Sequence, residues 1–223
     1  MTAVKTTHPF EASVDQGELA LAWLNSHASI MLRTIGATLV FDPVGVALPE
    51  QVCPDAVVVT HEHLDHFDRR LLDEWWERLG VIVLGSAYIA GQVQGKATVL
   101  RAGQLASVGD IQLVAEPCDH SVNEPLSFVI LPNGLPAIYH SNDSDPFAEM
   151  ARIRDDYEPQ VLLYTGASIL KAAHIAEIVK PKLIVSCSCD KKWETDFAQQ
   201  VKNWSPETET RFLQPLELWR WRG

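Results

Sequence analysis

Short apolar runs, interrupted by polar and turn-forming residues, dominate the first quarter of the chain and predict successive β-strands. Turn signals stand at Asn25-Ser26 and at Gly36. A further run, Ala-Val-Val-Val-Thr, is rich in β-branched residues and predicts a buried strand. The four predicted strands are Glu18–Asn25, Ala28–Thr34, Ala37–Asp42 and Ala56–Thr60.

Beyond residue 60 the pattern predicts helices and strands that follow one another. We expect Asp68 to cap the first helix, Asp145-Pro146 to begin the third, and Pro132-Asn133-Gly134 to form a turn between two strands. The predicted helices are Asp68–Leu79, Ala87–Val93, Asp145–Asp156, Ile169–Val179 and Asp196–Asn203. The predicted strands are Val81–Leu84, Thr98–Leu100, Ile111–Pro117, Leu126–Leu131, Ala137–His140, Val161–Thr165 and Leu183–Cys187, and Thr210–Trp221 is predicted to end the chain as an extended segment.

The order of these elements predicts the fold class. Strands dominate the first half, and helices are interleaved in both halves, which favours two packed sheets with helices outside. The predicted fold is therefore α/β (α+β), a four-layer αββα sandwich. The chain contains no internal repeat, low-complexity tract or long linker, so residues 1–223 are predicted to form a single domain.

Composition narrows the range of partners. Eighteen basic and 29 acidic residues leave a net charge of -11, which opposes non-specific nucleic-acid binding. No apolar stretch reaches the roughly 18 residues of a membrane span. The beginning of the chain lacks the apolar region of a signal peptide, so we expect a cytoplasmic protein whose four cysteines are thiols.

A dense group of metal-ligating side chains follows the strand that ends at Thr60. The segment His61-Glu62-His63-Leu64-Asp65-His66 holds three of the eight histidines of the chain. Imidazole is a good ligand for zinc and similar ions, and a carboxylate adds a hard oxygen. In an extended loop His61 and His63 share one side, so this segment predicts ligands for one ion or for two neighbouring ions.

This segment resembles the HxHxDH signature of the metallo-β-lactamase superfamily. The sequence LAWLNSHASIMLRTIGATLVFDPV is also similar to the N-terminal strands of the branch that includes L-ascorbate-6-phosphate lactonase and N-acylphosphatidylethanolamine phospholipase D. The resemblance covers about residues 18 to 195. It implies the metallo-β-lactamase fold, an αββα sandwich, and a metal-activated water that attacks an ester, lactone, amide or phosphodiester.

The resemblance implies roles for particular residues. His120 matches the third histidine of a first metal site that includes His61 and His63, and Asp143 matches a bridging aspartate. Asp65 and His66 would serve a second ion, and Asp65 would also be the catalytic residue that orients water or moves a proton. Asp42 matches an aspartate that supports the metal loop from behind, and His27 matches a histidine of uncertain role.

One position departs from the family. Ser188 stands where the last ligand histidine is expected, which leaves the second metal site in question. Three outcomes are open for the metal site. The protein binds a single ion, or Cys187 or Cys189 supplies a thiolate ligand for the second ion, or water completes the ligands of a weaker second ion.

Together these observations predict a metal-dependent hydrolase that acts on a small ester, lactone or phosphoester. The expected cofactor is Zn²⁺, as one or two ions, with Mn²⁺ or Fe²⁺ as alternatives. The expected partner is a small-molecule substrate, with no nucleic acid and no membrane span, and a homo-oligomer stays open. The alternative is a catalytically weakened metal- or ligand-binding protein of the same fold, because the last family histidine is replaced by Ser188.

Overall fold

The computed structural model describes residues 8–50 and 52–222 of the chain. A short 3₁₀ helix, Pro9–Glu11, precedes the first strand. The strands are β1 (Leu19–Trp23), β2 (Ile30–Arg33), β3 (Thr38–Phe41), β4 (Ala56–Val58), β5 (Ile82–Gly85), β6 (Ala97–Val99), β7 (Leu105–Val108), β8 (Ile111–Pro117), β9 (Leu126–Pro132), β10 (Ile138–His140), β11 (Val161–Leu163), β12 (Leu183–Cys187), β13 (Glu209–Leu213) and β14 (Leu218–Trp221). The helices are α1 (Arg69–Leu79), α2 (Ala87–Ala90), α3 (Met150–Tyr157), α4 (Ile169–Val179) and α5 (Lys191–Trp204).

The strands form two seven-stranded sheets. The first sheet has the order β14-β1-β2-β3-β4-β5-β6, and the second has the order β13-β12-β11-β10-β9-β8-β7. In the first sheet β3, β4, β5 and β6 are parallel, whereas β14, β1, β2 and β3 alternate in direction. In the second sheet β10 to β13 are parallel, and β7 to β10 alternate.

Three apolar layers separate four layers of secondary structure. Successive strand residues point to opposite faces, so Leu39 and Phe41 of β3 enter the core between the sheets while Val40 faces the helices. Leu72 and Trp75 of α1 cover that outer face of the first sheet. Helices α3, α4 and α5 cover the second sheet in the same way. The predicted αββα sandwich is therefore confirmed.

Several predicted elements agree with the structure. Helix α1 begins after Asp68, whose side chain accepts a hydrogen bond from the Leu71 backbone N–H, and it ends at Gly80 with φ +70°. Strands β8 and β12 and helix α4 have the predicted bounds. The predicted turn at residues 132–134 is also present, because the Leu135 N–H donates to the Pro132 carbonyl. Most other strands are one or two residues shorter at an end than predicted.

The helix predicted at Asp145–Asp156 is wrong at its beginning. Residues 145–149 precede α3, which begins only at Met150 and has no side-chain cap at Glu149. Asp145 instead forms an isolated bridge with Asp119, and its N–H donates to the Asp119 carbonyl over 2.7 Å. This contact ties the loop that carries Asp143 to the loop that carries His120, and that tertiary pairing overrides the local cap signal.

The end of the chain also differs from the prediction. The extended segment Thr210–Trp221 is divided into β13 and β14, which lie in different sheets. Helix α5 begins five residues before the predicted Asp196, because Asp190 caps it. Strand β7 was not predicted, and it joins β8 through Gly109-Asp110, where Gly109 has φ +56°. Within residues 8–50 and 52–222, no helix has the length and apolar character needed to cross a membrane. The single-domain arrangement stays a prediction.

Candidate metal centre

The candidate site lies where strands of both sheets end. The loop after β4 carries His61, His63 and His66, and the loop after β8 carries His120. Asp143 follows β10. Because parallel strands end at the same edge of a sheet, residues that are distant in the chain meet here.

Three imidazoles converge in a first group. The ligand atoms of His61, His63 and His120 all lie within 4.8 Å of one another. His120 Nε2 is 3.3 Å from His63 Nδ1, and the His61 ring centroid is 4.7 Å from that of His63 and 4.9 Å from that of His120. These distances suit three nitrogens that face one cation.

The chemistry of His61 fits a metal ligand. Its side chain is fully buried, and its Nε2 has no hydrogen-bond partner. Burial lowers the pKa of His61 to about 4, and burial also lowers the pKa of His120. Both imidazoles are therefore neutral at physiological pH, with a lone pair to donate. An unpartnered buried nitrogen is costly unless a ligand satisfies it, so the residues present fit a bound cation.

A second group shares His61 and adds His66 and Asp143. His66 Nε2 is 3.4 Å from Asp143 Oδ2, and His66 Nδ1 is 2.8 Å from Asp42 Oδ2. Burial acts to lower the pKa of His66, but hydrogen bonds and charge from Asp143 and Asp42 outweigh it and raise that pKa to about 10. Burial acts to raise the pKa of Asp143, but the hydrogen bond and charge of His66 outweigh it and lower that pKa to about 2.

Asp42 supports both groups from behind. It follows β3 with φ +45°, is fully buried, and accepts hydrogen bonds from the Thr60 N–H and hydroxyl, each over 2.8 Å. The Thr60 hydroxyl is also 3.0 Å from His61 Nδ1. One buried carboxylate thus orients His66 directly and His61 through Thr60, the arrangement that holds ligand rings in place.

The comparisons with known proteins bear on this geometry. The profile of the family described as "Beta-lactamase superfamily domain" matches residues 20–134. The chain belongs to this superfamily. The matched segment includes the loop from His61 to His66 and His120, while Asp143 and Ser188 lie beyond it.

Relatives within this superfamily cover most of the chain. It is 26% identical over 226 residues to a UPF0173 metal-dependent hydrolase of Archaeoglobus fulgidus, covering 89% of this chain and 97% of the relative. It is 24% identical over 192 residues to a UPF0173 metal-dependent hydrolase of Methanosarcina mazei, covering 75% and 82%. The names of these relatives agree with the predicted enzyme class. The narrower resemblance to the lactonase and phospholipase branch stays a prediction.

Solved structures show the same fold. Igni18, a metallo hydrolase of Ignicoccus hospitalis, matches with a TM-score of 0.77 at 22% identity, covering 92% of this chain and 99% of that one. The metallo-beta-lactamase fold protein YhfI of Bacillus subtilis matches with a TM-score of 0.73 at 13% identity, with the same coverage. The predicted metallo-β-lactamase fold is confirmed.

Asp65, another residue of the superfamily signature, lies at the edge of the site. Its side chain is 55% exposed, and its Oδ2 is 3.9 Å from His66 Nε2. It lines a cavity of about 300 Å³ together with His66 and Asp143. Asp65 is thus outside the two compact groups of ligand atoms, and its carboxylate faces solvent and the cavity.

The structure does not bring the two late cysteines into either group. Cys187 Sγ lies 3.8 Å from the Asn25 carbonyl, and burial raises the pKa of its thiol to about 12. Cys189 is exposed and does not line the cavity. Ser188 lines the cavity, but its hydroxyl accepts a hydrogen bond from the Asp190 N–H over 3.0 Å. His27 also lines the cavity, from the opposite loop.

Two supporting residues escaped the sequence interpretation. Thr60 carried no signal beyond its place before His61. Asn142 stands just before Asp143 and has φ +55°. Its side chain is fully buried, with Nδ2 3.2 Å from His61 Nδ1 and with Oδ1 unpartnered. Asparagine tolerates a left-handed backbone better than most residues, but the sequence around Asn142 carried no other signal.

Proposed function

We propose that this protein is a metal-dependent hydrolase that cleaves a small ester, lactone or phosphoester with water. The observation that carries the proposal is the convergence of the His61, His63 and His120 imidazoles. Within this group the buried Nε2 of His61 has no hydrogen-bond partner in the described part of the chain. Three histidines with an open further position are typical of catalytic zinc sites. Membership of the superfamily and the names of the relatives support the same class.

The ligand set favours Zn²⁺, with Mn²⁺ or Fe²⁺ as alternatives, because imidazole suits all three. His61, His63 and His120 would hold a first ion. His66 and Asp143 would hold a second, with the carboxylate of Asp65 beside it. Metal ions bound here supply a Lewis acid and make water nucleophilic near neutral pH.

The chain's own residues supply position and proton transfer. The exposed carboxylate of Asp65 faces the cavity, where it accepts a proton from the attacking water. Asp42 fixes the orientation of the His66 ring by a direct hydrogen bond and that of the His61 ring through the Thr60 hydroxyl. The cavity beside Asp143 holds the part of the substrate that does not react.

A second candidate function is a metal- or ligand-binding protein with little catalysis. The observation that favours it is Ser188, whose hydroxyl bonds to Asp190 and which replaces the expected ligand histidine. Turnover decides between the two candidates.

The test measures metal content and hydrolysis on protein purified without chelators. We expect at least one equivalent of zinc per chain and turnover of p-nitrophenyl acetate, δ-valerolactone or bis-p-nitrophenyl phosphate. His120→Ala removes one of three ligands and is expected to reduce turnover at least about 100-fold and to lower zinc content. His174→Ala is the matched control, because His174 lies on α4 and packs against Trp204 of α5, outside both groups of ligand atoms.

Protein with a full metal complement that hydrolyses none of these substrates would favour the binding function. Protein that binds no zinc, manganese or iron, or equal loss in both variants, would contradict the proposal.

A further inference from the structure

The cavity beside the metal centre is bordered by one partly exposed aromatic side chain. Its volume is about 300 Å³, and it opens next to Asp65, His66 and Asp143. Trp193 contributes wall surface, whereas Trp23 and Tyr164 border the cavity but are almost fully buried. A partly exposed indole ring can bind an apolar group, because the contact buries apolar surface of both.

Among the described residues, the polar part of the wall away from the metal centre contains no lysine, arginine or carboxylate. Apart from the acidic and imidazole groups at the metal centre, its polar side chains are hydroxyls, the Cys187 thiol and one further imidazole, that of His27. Ser188 belongs to this hydroxyl wall, at the position where a ligand histidine is expected. A hydroxyl is a weaker partner for an anion than a guanidinium or an ammonium group.

Among residues 8–50 and 52–222, no lysine or arginine lines the cavity. The lysines nearest to its walls in the chain are already engaged with carboxylates. Lys171 pairs with Asp145, Lys191 with Glu194 over 2.8 Å, and Lys192 with Asp196.

An anionic group placed in this cavity away from the metal centre would lose hydration without gaining a lysine or arginine partner. That loss is unfavourable for a carboxylate or a phosphate. The net charge of -11 adds a general repulsion of anions. An alkyl or aryl group, by contrast, gains by covering the exposed part of Trp193.

We propose, on the basis of the proposed function, that the substrate is an uncharged ester or lactone whose non-reacting part enters this cavity beside Ser188 and Trp193. A substrate that carries a phosphate or carboxylate away from the cleaved bond is excluded. In the reaction, the oxygen of water bonds to the acyl carbon and the ester C–O bond breaks. One proton of the water reaches the leaving alkoxide and the other is released to solvent, so no oxidant or reductant is needed.

The experiment compares two esters of equal chain length on zinc-loaded protein. p-Nitrophenyl hexanoate ends in a methyl group, and mono-p-nitrophenyl adipate ends in a carboxylate. At pH 8.5 we expect kcat/KM for the hexanoate to exceed that for the adipate at least about tenfold.

Ser188→Lys adds a cation to the wall, and Ser188→Met adds a side chain of similar length without charge. Both variants lose the hydrogen bond that the Ser188 hydroxyl accepts from the Asp190 N–H, so they differ mainly in the charge of the new side chain. We expect Ser188→Lys to reduce the hexanoate preference at least about fivefold relative to Ser188→Met.

A binding measurement gives a readout that does not depend on turnover. Saturation-transfer NMR compares N-phenylhexanamide with adipic acid monoanilide, the matching amides, and we expect contact with the neutral amide only, weakened in Trp193→Ala. The inference is overturned if the adipate ester is hydrolysed faster or the adipic anilide binds better than its neutral counterpart. It is also overturned if both assays show no difference between the neutral and the anionic compound. In these cases the hydrolase activity itself still stands. Binding of the neutral amide without hydrolysis of either ester instead contradicts the proposed function and supports only the preference of the cavity for uncharged groups.

Discussion

At the scale of single residues, Asn142 combines two demands. Its backbone has φ +55°, a conformation that asparagine tolerates better than most residues, and its amide lies 3.2 Å from His61 Nδ1. Glycine would meet the first demand and lose the second, while alanine would lose both. Comparison of the two substitutions therefore separates the contribution of the backbone conformation from that of the side-chain amide.

We expect Asn142→Gly to fold with a stability near that of the wild type and to bind zinc more weakly, because His61 loses a polar neighbour. Asn142→Ala is expected to lose zinc affinity equally and also about 1–2 kcal/mol of stability from its left-handed backbone. Urea unfolding and competition with a zinc chelator measure the two effects. If Asn142→Gly binds zinc as tightly as the wild type, the amide does not position His61.

At the scale of elements, helix α5 shows how a local cap positions a cavity wall. Asp190 accepts hydrogen bonds from the Lys192 N–H over 2.8 Å and from the Trp193 N–H over 3.2 Å. These bonds begin the helix five residues before the predicted start, and they place Trp193 in its first turn. The cap therefore connects the stability of α5 with the shape of the cavity.

Asp190→Ala removes both hydrogen bonds and is expected to cost about 1 kcal/mol in the free energy of unfolding. Asp190→Asn keeps an acceptor and serves as the control, with a loss of only a few tenths of a kcal/mol. Urea unfolding followed by circular dichroism measures the difference. Equal stability of the alanine and asparagine variants would mean that the cap contributes nothing to α5.

The same scale shows what the pattern could and could not predict. α4 and β8 were predicted with their bounds, because their patterns agree with their tertiary surroundings. The helix predicted at Asp145 failed because that residue bridges to Asp119 in another loop. A local cap signal does not contain the position of a partner 26 residues earlier in the chain.

At the scale of the whole molecule, burial of titratable groups couples folding to pH. His140 is fully buried next to Phe41, and burial lowers its pKa to about 4. The unfolded chain binds a proton at an ordinary histidine pKa of about 6.5. The unfolded state therefore binds more protons between these values, and stability falls as the pH decreases from about 6.5 to 4.

We expect metal-free protein to lose roughly 2–3 kcal/mol of unfolding free energy over this range from His140. His140→Asn keeps an acceptor for the Asn142 N–H, which donates to His140 Nδ1 over 3.1 Å, and should flatten the pH dependence. The exposed His27→Asn is the control and should leave the slope unchanged. Unfolding in urea at several pH values, after treatment with a chelator, provides the measurement. Equal slopes in the three proteins would show that His140 does not contribute.

The sequence by itself determined the layers of the fold and the main ligand candidates. Periodicity decides which face of each element is buried, and the spacing of His61, His63 and His66 in one loop limits where their rings can point. The resemblance added His120 and Asp143, which the structure brings next to that loop.

Only the tertiary structure decided what surrounds those ligands. Thr60 and Asn142 approach His61 from two different strand ends, and Cys187 Sγ lies beside the Asn25 carbonyl and in neither group of ligand atoms. The cavity beside Ser188 likewise has walls from both sheets. Such contacts depend on how distant segments pack, and packing is a property of the folded chain that no local pattern contains.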